Sequence, residues 1–434
     1  MRKLLVLLMV LALVSPAMAA SKVSISGHYQ VSAVTADNIV DQNAQTDTGD
    51  ADKRDYIYQR FRVQPVIQAS DAVKATLRFD FAEGQWGQDQ DFTTARAVDT
   101  GVSGELQVDR AYADVNMGWL NVRAGLQFIY AGQTQVYRDN QPGLQFMIKT
   151  PSPVGFRLAY VKASEGIGVG SPFDRLSDET DVNEDTDRYL GDLSINTDPV
   201  KLNIFYVMQK DDGTDGVTDF KDEPWVAGLR VRSMLGSVSI AGEVATFGGD
   251  NGNGTDYVGT QANVNGMMKF SDALTVGMDL IYSTAQGANE QKITAIGNPF
   301  ARLDVVSGGS FGWDTLTYGR NNAPVFAGLP VDGDVFDPFR TGAGCIGAGI
   351  GAKFVPVQKV TLIGQFHYMV ADDDNIQGVT GEFEDGYNAL VAAVFQLAPK
   401  ASLHATYQYI DANFADNVDI DNAYIATLWM NIAF

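Results

Sequence analysis

Apolar and polar residues alternate with a period of two along most of the chain. Val73, Ala75, Leu77, Phe79 and Phe81 share one face, and Lys74, Thr76, Arg78 and Asp80 share the other. Leu120, Val122, Ala124, Leu126 and Phe128 alternate with Asn121, Arg123, Gly125 and Gln127 in the same way. So do Leu403, Ala405, Tyr407 and Tyr409, and the terminal stretch from Tyr424 to Phe434. This period predicts strands with one apolar face. No stretch carries a clear helical period. Short connections such as Ser70-Asp71-Ala72, Met117-Gly118 and Gly236 take turns with long polar ones near 35–53, 83–104, 129–143, 163–187, 211–223, 248–256, 284–341, 371–386 and 411–422. The pattern predicts an all-β, antiparallel transmembrane β-barrel of about 18 strands, with about 16 as the other even count that loose boundaries allow. An even count places both chain ends on the short-turn side, with the long loops outside.

Residues 1–20 read differently. Arg2 and Lys3 precede an apolar run from Leu4 to Val14, followed by Ser15, Pro16 and Ala17-Met18-Ala19. This is the anatomy of a secretory signal peptide. The run is about half of the roughly 20 residues a spanning helix needs. Residues 21–434 are then expected to form a single barrel domain. The net charge of −22 argues against a nucleic-acid partner. One cysteine, Cys345, and three histidines leave no disulfide framework and no His-built metal site. Gly342 to Gly347 satisfy G-x-G-x-x-G, but an alternating strand follows where a dinucleotide site needs a helix. No nucleophile, base or metal constellation points to an enzyme.

The ending YIATLWMNIAF resembles the C-terminal strand of Gram-negative outer-membrane β-barrels, which closes on Phe; Ile432 stands where those endings usually carry an aromatic. With the leader and the turn asymmetry, the chain resembles the general-diffusion-type outer-membrane porins. The resemblance implies Sec-type export, a place in the outer membrane beside lipid and lipopolysaccharide, and a homotrimer. It also implies that the barrel-assembly machinery reads Phe434. The implied function is a water-filled channel for passive diffusion of small hydrophilic solutes and ions. In such barrels the loop after the fifth strand folds inward, which assigns a constriction to 129–143 and to Gln133, Gln135, Tyr137, Arg138 and Asp139. Two other readings stay open: a substrate-selective channel for a small anionic or sugar solute, and a barrel scaffold for a partner protein.

Polar faces of a barrel line its lumen. Those faces gather Arg60, Arg62, Lys74, Arg78, Arg110, Arg123, Arg157, Arg230 and Arg232, which predicts a charged path that biases ion passage. The acidic lumen candidates are Asp80, Asp114, Asp192, Glu243 and Asp279; His367 and His404 also fall on lumen faces. Trp119, Trp225, Tyr257, Tyr387, Tyr424, Trp429 and Phe434 lie near strand ends and predict interfacial girdles. Acidic runs at 174–187, 211–223 and 372–385 predict solvated loops, with loosely bound divalent cations as the sharper reading. No cofactor is predicted.

Overall fold

The computed structural model describes residues 22–37, 54–86, 106–132, 136–164, 186–211, 222–252, 254–285, 290–293, 296–297, 344–372, 383–414 and 422–434. The proposed leader and most of the acidic runs lie outside the described residues. In chain order the strands are β1 (Lys22–Asp37), β2 (Arg54–Gln68), β3 (Val73–Gln85), β4 (Leu106–Asn116), β5 (Leu120–Ala131), β6 (Tyr137–Lys149) and β7 (Val154–Ser164). Next come β8 (Thr186–Asn196), β9 (Val200–Asp211), β10 (Trp225–Leu235), β11 (Val238–Gly248), β12 (Asp256–Lys269) and β13 (Leu274–Ser283). Two short pieces, β14 (Glu290–Lys292) and β15 (Ile296–Gly297), precede β16 (Cys345–Val357), β17 (Val360–Ala371), β18 (Phe383–Ala398), β19 (Ala401–Phe414) and β20 (Ala423–Ala433).

Each long strand pairs antiparallel with the next, β13 pairs with β16, and β20 returns to pair with β1. The wall is a closed barrel of 18 strands. Closure matters because an unpaired backbone group in hydrocarbon costs several kcal/mol. The seam also uses the last residue. Phe434 N–H donates to the Gly27 carbonyl at 3.0 Å, and Gly27 N–H returns the bond at 3.2 Å. The Phe434 ring lies where a side chain at Gly27 would stand and stacks on Phe61 at 5.7 Å. An aromatic ring thus covers the bare backbone at the joint.

The outer face carries the apolar set of each strand. Met278, Leu280, Ile346, Ile350, Val391 and Leu428 are exposed there, as a lipid-facing band requires. Trp119 is 63% exposed beside its turn, as an interfacial ring should be. Trp429 departs from the girdle expectation: it is buried on the inner face and stacks on His404 at 3.7 Å. Its parity explains this, since Trp429 alternates with the outward Leu428 and Met430.

Polar residues fill the inner face, including Gln127, Gln145, Asn263, Gln365, Asn388 and Gln408, all buried. Gly349 occupies the middle of a row between Asp279 and His367. Its missing side chain lets those two meet at 3.2 Å above it.

The expected loop at 129–143 is mostly strand. β5 keeps its wall partner β4 only to Ala111↔Leu126, and β6 keeps β7 only to Gly143↔Val161. Beyond those points β5 and β6 stay paired with each other to Ala131↔Tyr137. Gly125 and Gly143 face each other where the pair departs. Gly125 has φ +120°, a left-handed backbone that favours glycine. A side chain there would also strike the Tyr112 backbone.

Candidate functional site

The departing hairpin enters the lumen. Its tip residue Gly132 lies against Glu243 of β11, such that a Cβ would come within 2.8 Å of Oε1. In a closed wall, β5 and β11 are separated by five strands, so the hairpin runs inside the wall as far as β11. Ile129, Ala131, Val136 and Tyr137 pack into one apolar cluster with Ala159 and Val161 of β7, Leu190 of β8, Phe205 and Val207 of β9, Val226 of β10 and Phe247 of β11. Burying each Val, Ile, Leu or Phe side chain contributes about 1.5–3 kcal/mol, enough to hold the hairpin against this inner face.

A second inward piece locks it. β14 pairs parallel to β12, with Asp256↔Glu290, and β15 pairs parallel to the free edge of β6, with Ile296↔Tyr137. Ile293 N–H donates to Val258 O at 2.9 Å, and Ile296 N–H donates to Val136 O at 2.8 Å. Ile296 is buried in the same apolar cluster. Residues 290–293 at the wall and 296–297 at the hairpin therefore act as a strap between the two.

On the near wall, β2 to β5 carry a dense ionic array. Arg62 binds Asp80 through two parallel bonds of 2.5 Å, the bidentate geometry that suits guanidinium and carboxylate. Arg78 and Arg110 stand directly opposite each other in the ladder. Like charges so placed repel. A bulge resolves the conflict: the register slips between Arg78 and Phe79, inserting Asp109 as an extra residue. Asp109 pairs with Arg78, lies 3.7 Å from Arg62 and 4.0 Å from Arg110, and accepts from Asn140 of the hairpin at 2.9 Å. Lower down, Asp114 bridges Arg123 at 2.7 Å and Lys74 at 3.4 Å. Arg60 sits opposite a second bulge, in β3, and is 1% exposed.

Five of these cations, Arg62, Lys74, Arg78, Arg110 and Arg123, share three carboxylates, Asp80, Asp109 and Asp114, among the described residues. The surplus is positive. Arg110 lies over Phe128 at 4.9 Å and Arg123 over Tyr112 at 4.4 Å, which orients both guanidinium groups. Phe128 stacks on Tyr130 at 5.6 Å, and Arg157 of β7 lies 5.6 Å from the Tyr130 ring centre. Arg157 also donates to the Tyr130 carbonyl at 2.8 Å.

The structure thus brings together Arg60, Arg62, Lys74, Arg78, Arg110 and Arg123. Arg157, Arg230 and Arg232 form a separate group on β7 and β10. Tyr137 does not offer its ring to a solute; it is fully buried in the cluster. Arg138 and Asp139 take ladder places opposite Tyr130 and Ile129. Gln133 and Gln135 lie outside the described residues. Asp109 is absent from the sequence-derived set because the bulge breaks strict alternation. The signal is nonetheless present: the outward apolar positions jump from Val108 to Ala111.

A barrel of this strand number, entered by an inward hairpin, has the fold of the outer-membrane porins. A BenF-like porin from Pseudomonas fluorescens Pf-5 superposes with a TM-score of 0.58 at 9% identity, covering 95% of this chain and 98% of that one. OccK3 (OpdO) of Pseudomonas aeruginosa gives 0.56 at 10% identity, covering 95% and 96%. OpdK of the same species, solved with vanillate, gives 0.54 at 9% identity, covering 95% and 98%. No protein-family model and no curated protein sequence matches the chain.

Proposed function

We propose that the chain is an outer-membrane channel of a Gram-negative bacterium that passes small anionic solutes by facilitated diffusion. The carrying observation is the cationic surplus of β2–β5 beside an inward hairpin. A charged wall acts strongly where the aqueous path is narrow, because low-dielectric surroundings focus its field. The hairpin and strap favour a selective path over general diffusion, since they fill space inside the wall along β7–β11. Vanillate, the molecule solved with OpdK, is a small aromatic carboxylate. The arginines offer forks for such a carboxylate, and Phe128 and Tyr130 offer a flat apolar rail beside them.

Purified protein in planar bilayers under a KCl gradient tests this. The reversal potential should show chloride preferred over potassium. Arg60→Ala with Arg62→Ala should move it toward the unselective value. Cation preference in the unaltered protein, or an unmoved reversal potential in the double variant, would overturn the reading.

A further inference from the structure

A second group of cations lies toward the short-turn end of the barrel, under the hairpin tip. There Tyr130, Ala131 and Gly132 roof a cavity of about 410 Å³ lined by Arg157, Asp192, Lys201, Asn203, Arg230 and Arg232. Asp192 is the only carboxylate of this lining among the described residues. Both of its oxygens are engaged, one by Arg157 at 2.9 Å and the other by Asn203 at 2.8 Å. Arg230 stands opposite Glu243 in the β10–β11 ladder.

Lys201 and Arg232 remain. They face each other directly across β9 and β10. At that position Cβ atoms are about 5 Å apart, and like charges destabilise the pair. The same conflict arises at Arg78 and Arg110, where a bulge supplies Asp109 between them. At Lys201 and Arg232 the ladder continues without a slip from Trp225↔Met208 to Ser233↔Val200, and no bulge delivers a carboxylate. Unlike Arg78 and Arg110, these cations are exposed; they are adjacent, open to the cavity and left with a joint charge of plus two. We infer that this cavity is a dwell site for a compact oxyanion carrying two charges, of the phosphate type, held between Lys201 and Arg232. The solute supplies there the negative charge that Asp109 supplies on the other wall. A tetrahedral oxyanion presents several acceptors within the span of two facing cations. The inference rests on the channel reading only for the route by which the anion arrives.

The test uses the full-length barrel and inorganic phosphate as probe, at low ionic strength matched with chloride. Phosphate should raise the melting temperature of the unaltered protein. Lys201→Gln with Arg232→Gln should melt higher than the unaltered protein without phosphate, because repulsion is gone, and should not respond to phosphate. In bilayers, phosphate should reduce chloride current, with a half-blocking concentration at least about tenfold higher in the double variant. An equal phosphate response in both proteins would overturn the site. So would a stronger response to succinate, whose charges lie further apart. A phosphate-responsive barrel that carries no current sinks the channel reading and keeps the site. A conducting barrel without any phosphate response does the reverse.

Discussion

Asp109 is the residue on which three guanidinium groups depend. Removing one partner of a buried ionic cluster costs about 3–5 kcal/mol, because the charges left behind stay desolvated. Asp109→Asn should therefore lower the thermal unfolding temperature and, in whatever fraction folds, raise chloride preference measured by reversal potential. A rise in selectivity without loss of stability would contradict the shared-counter-ion geometry. Asp222 illustrates the opposite balance in an outer connection. Burial pushes its carboxyl above the ordinary range; Tyr257 opposes this by hydrogen bonding, and the Asp211 charge adds to it. A carboxyl raised on folding takes up protons more readily in the folded state, so its stabilising effect is present at low pH and lost as pH rises through the raised value. Asp222→Asn should accordingly melt above the unaltered protein at neutral pH. That advantage should shrink as pH falls through the raised value; melting curves at several pH values check it.

The β5–β6 hairpin is an element that serves two environments. Up to Leu126 and Gly143 it belongs to the wall, and beyond them it belongs to the lumen. Gly125→Ala places a side chain at φ +120° against the neighbouring strand. The expected outcome is a displaced hairpin, seen as larger single-channel conductance with more open-state noise. Ile296→Asp, which puts a charge into the apolar cluster, should give the same readout through the strap. The wall strands were legible in the chain because burial on one face imposes alternation. The hairpin was legible only as a place, 129–143, since Ile129 and Ala131 continue the same alternation while packing against protein. The strap left no sequence mark at all. Its two parallel pairings span a few residues, too short for any period to develop. Trp429 was misread for a related reason: aromatics near strand ends suit both a girdle and an inner stack, and parity decides between them.

For the barrel as a whole, the seam between β1 and β20 closes the wall, and Phe434 occupies it with both backbone and ring. Removing Phe434, or placing a side chain under its ring by Gly27→Val, should reduce the heat-resistant folded fraction after assembly into lipid. Channels that form without Phe434 should keep their ion preference, because the arginines lie on other strands. Normal assembly of both variants would show the joint to be dispensable. The extra residue in β4 carries a different kind of consequence. Strands convert position into sidedness by counting, and Asp109 adds one to the count. Deleting it would remove the carboxylate and the bulge together. Val108, 49% exposed on the outer face, would keep its place opposite Phe79, and plain alternation would run on into Arg110. The bulge is thus a stored residue: β4 holds one more than its sidedness needs, and a β4 shortened by Asp109 should still insert while its arginines lose their shared counter-ion.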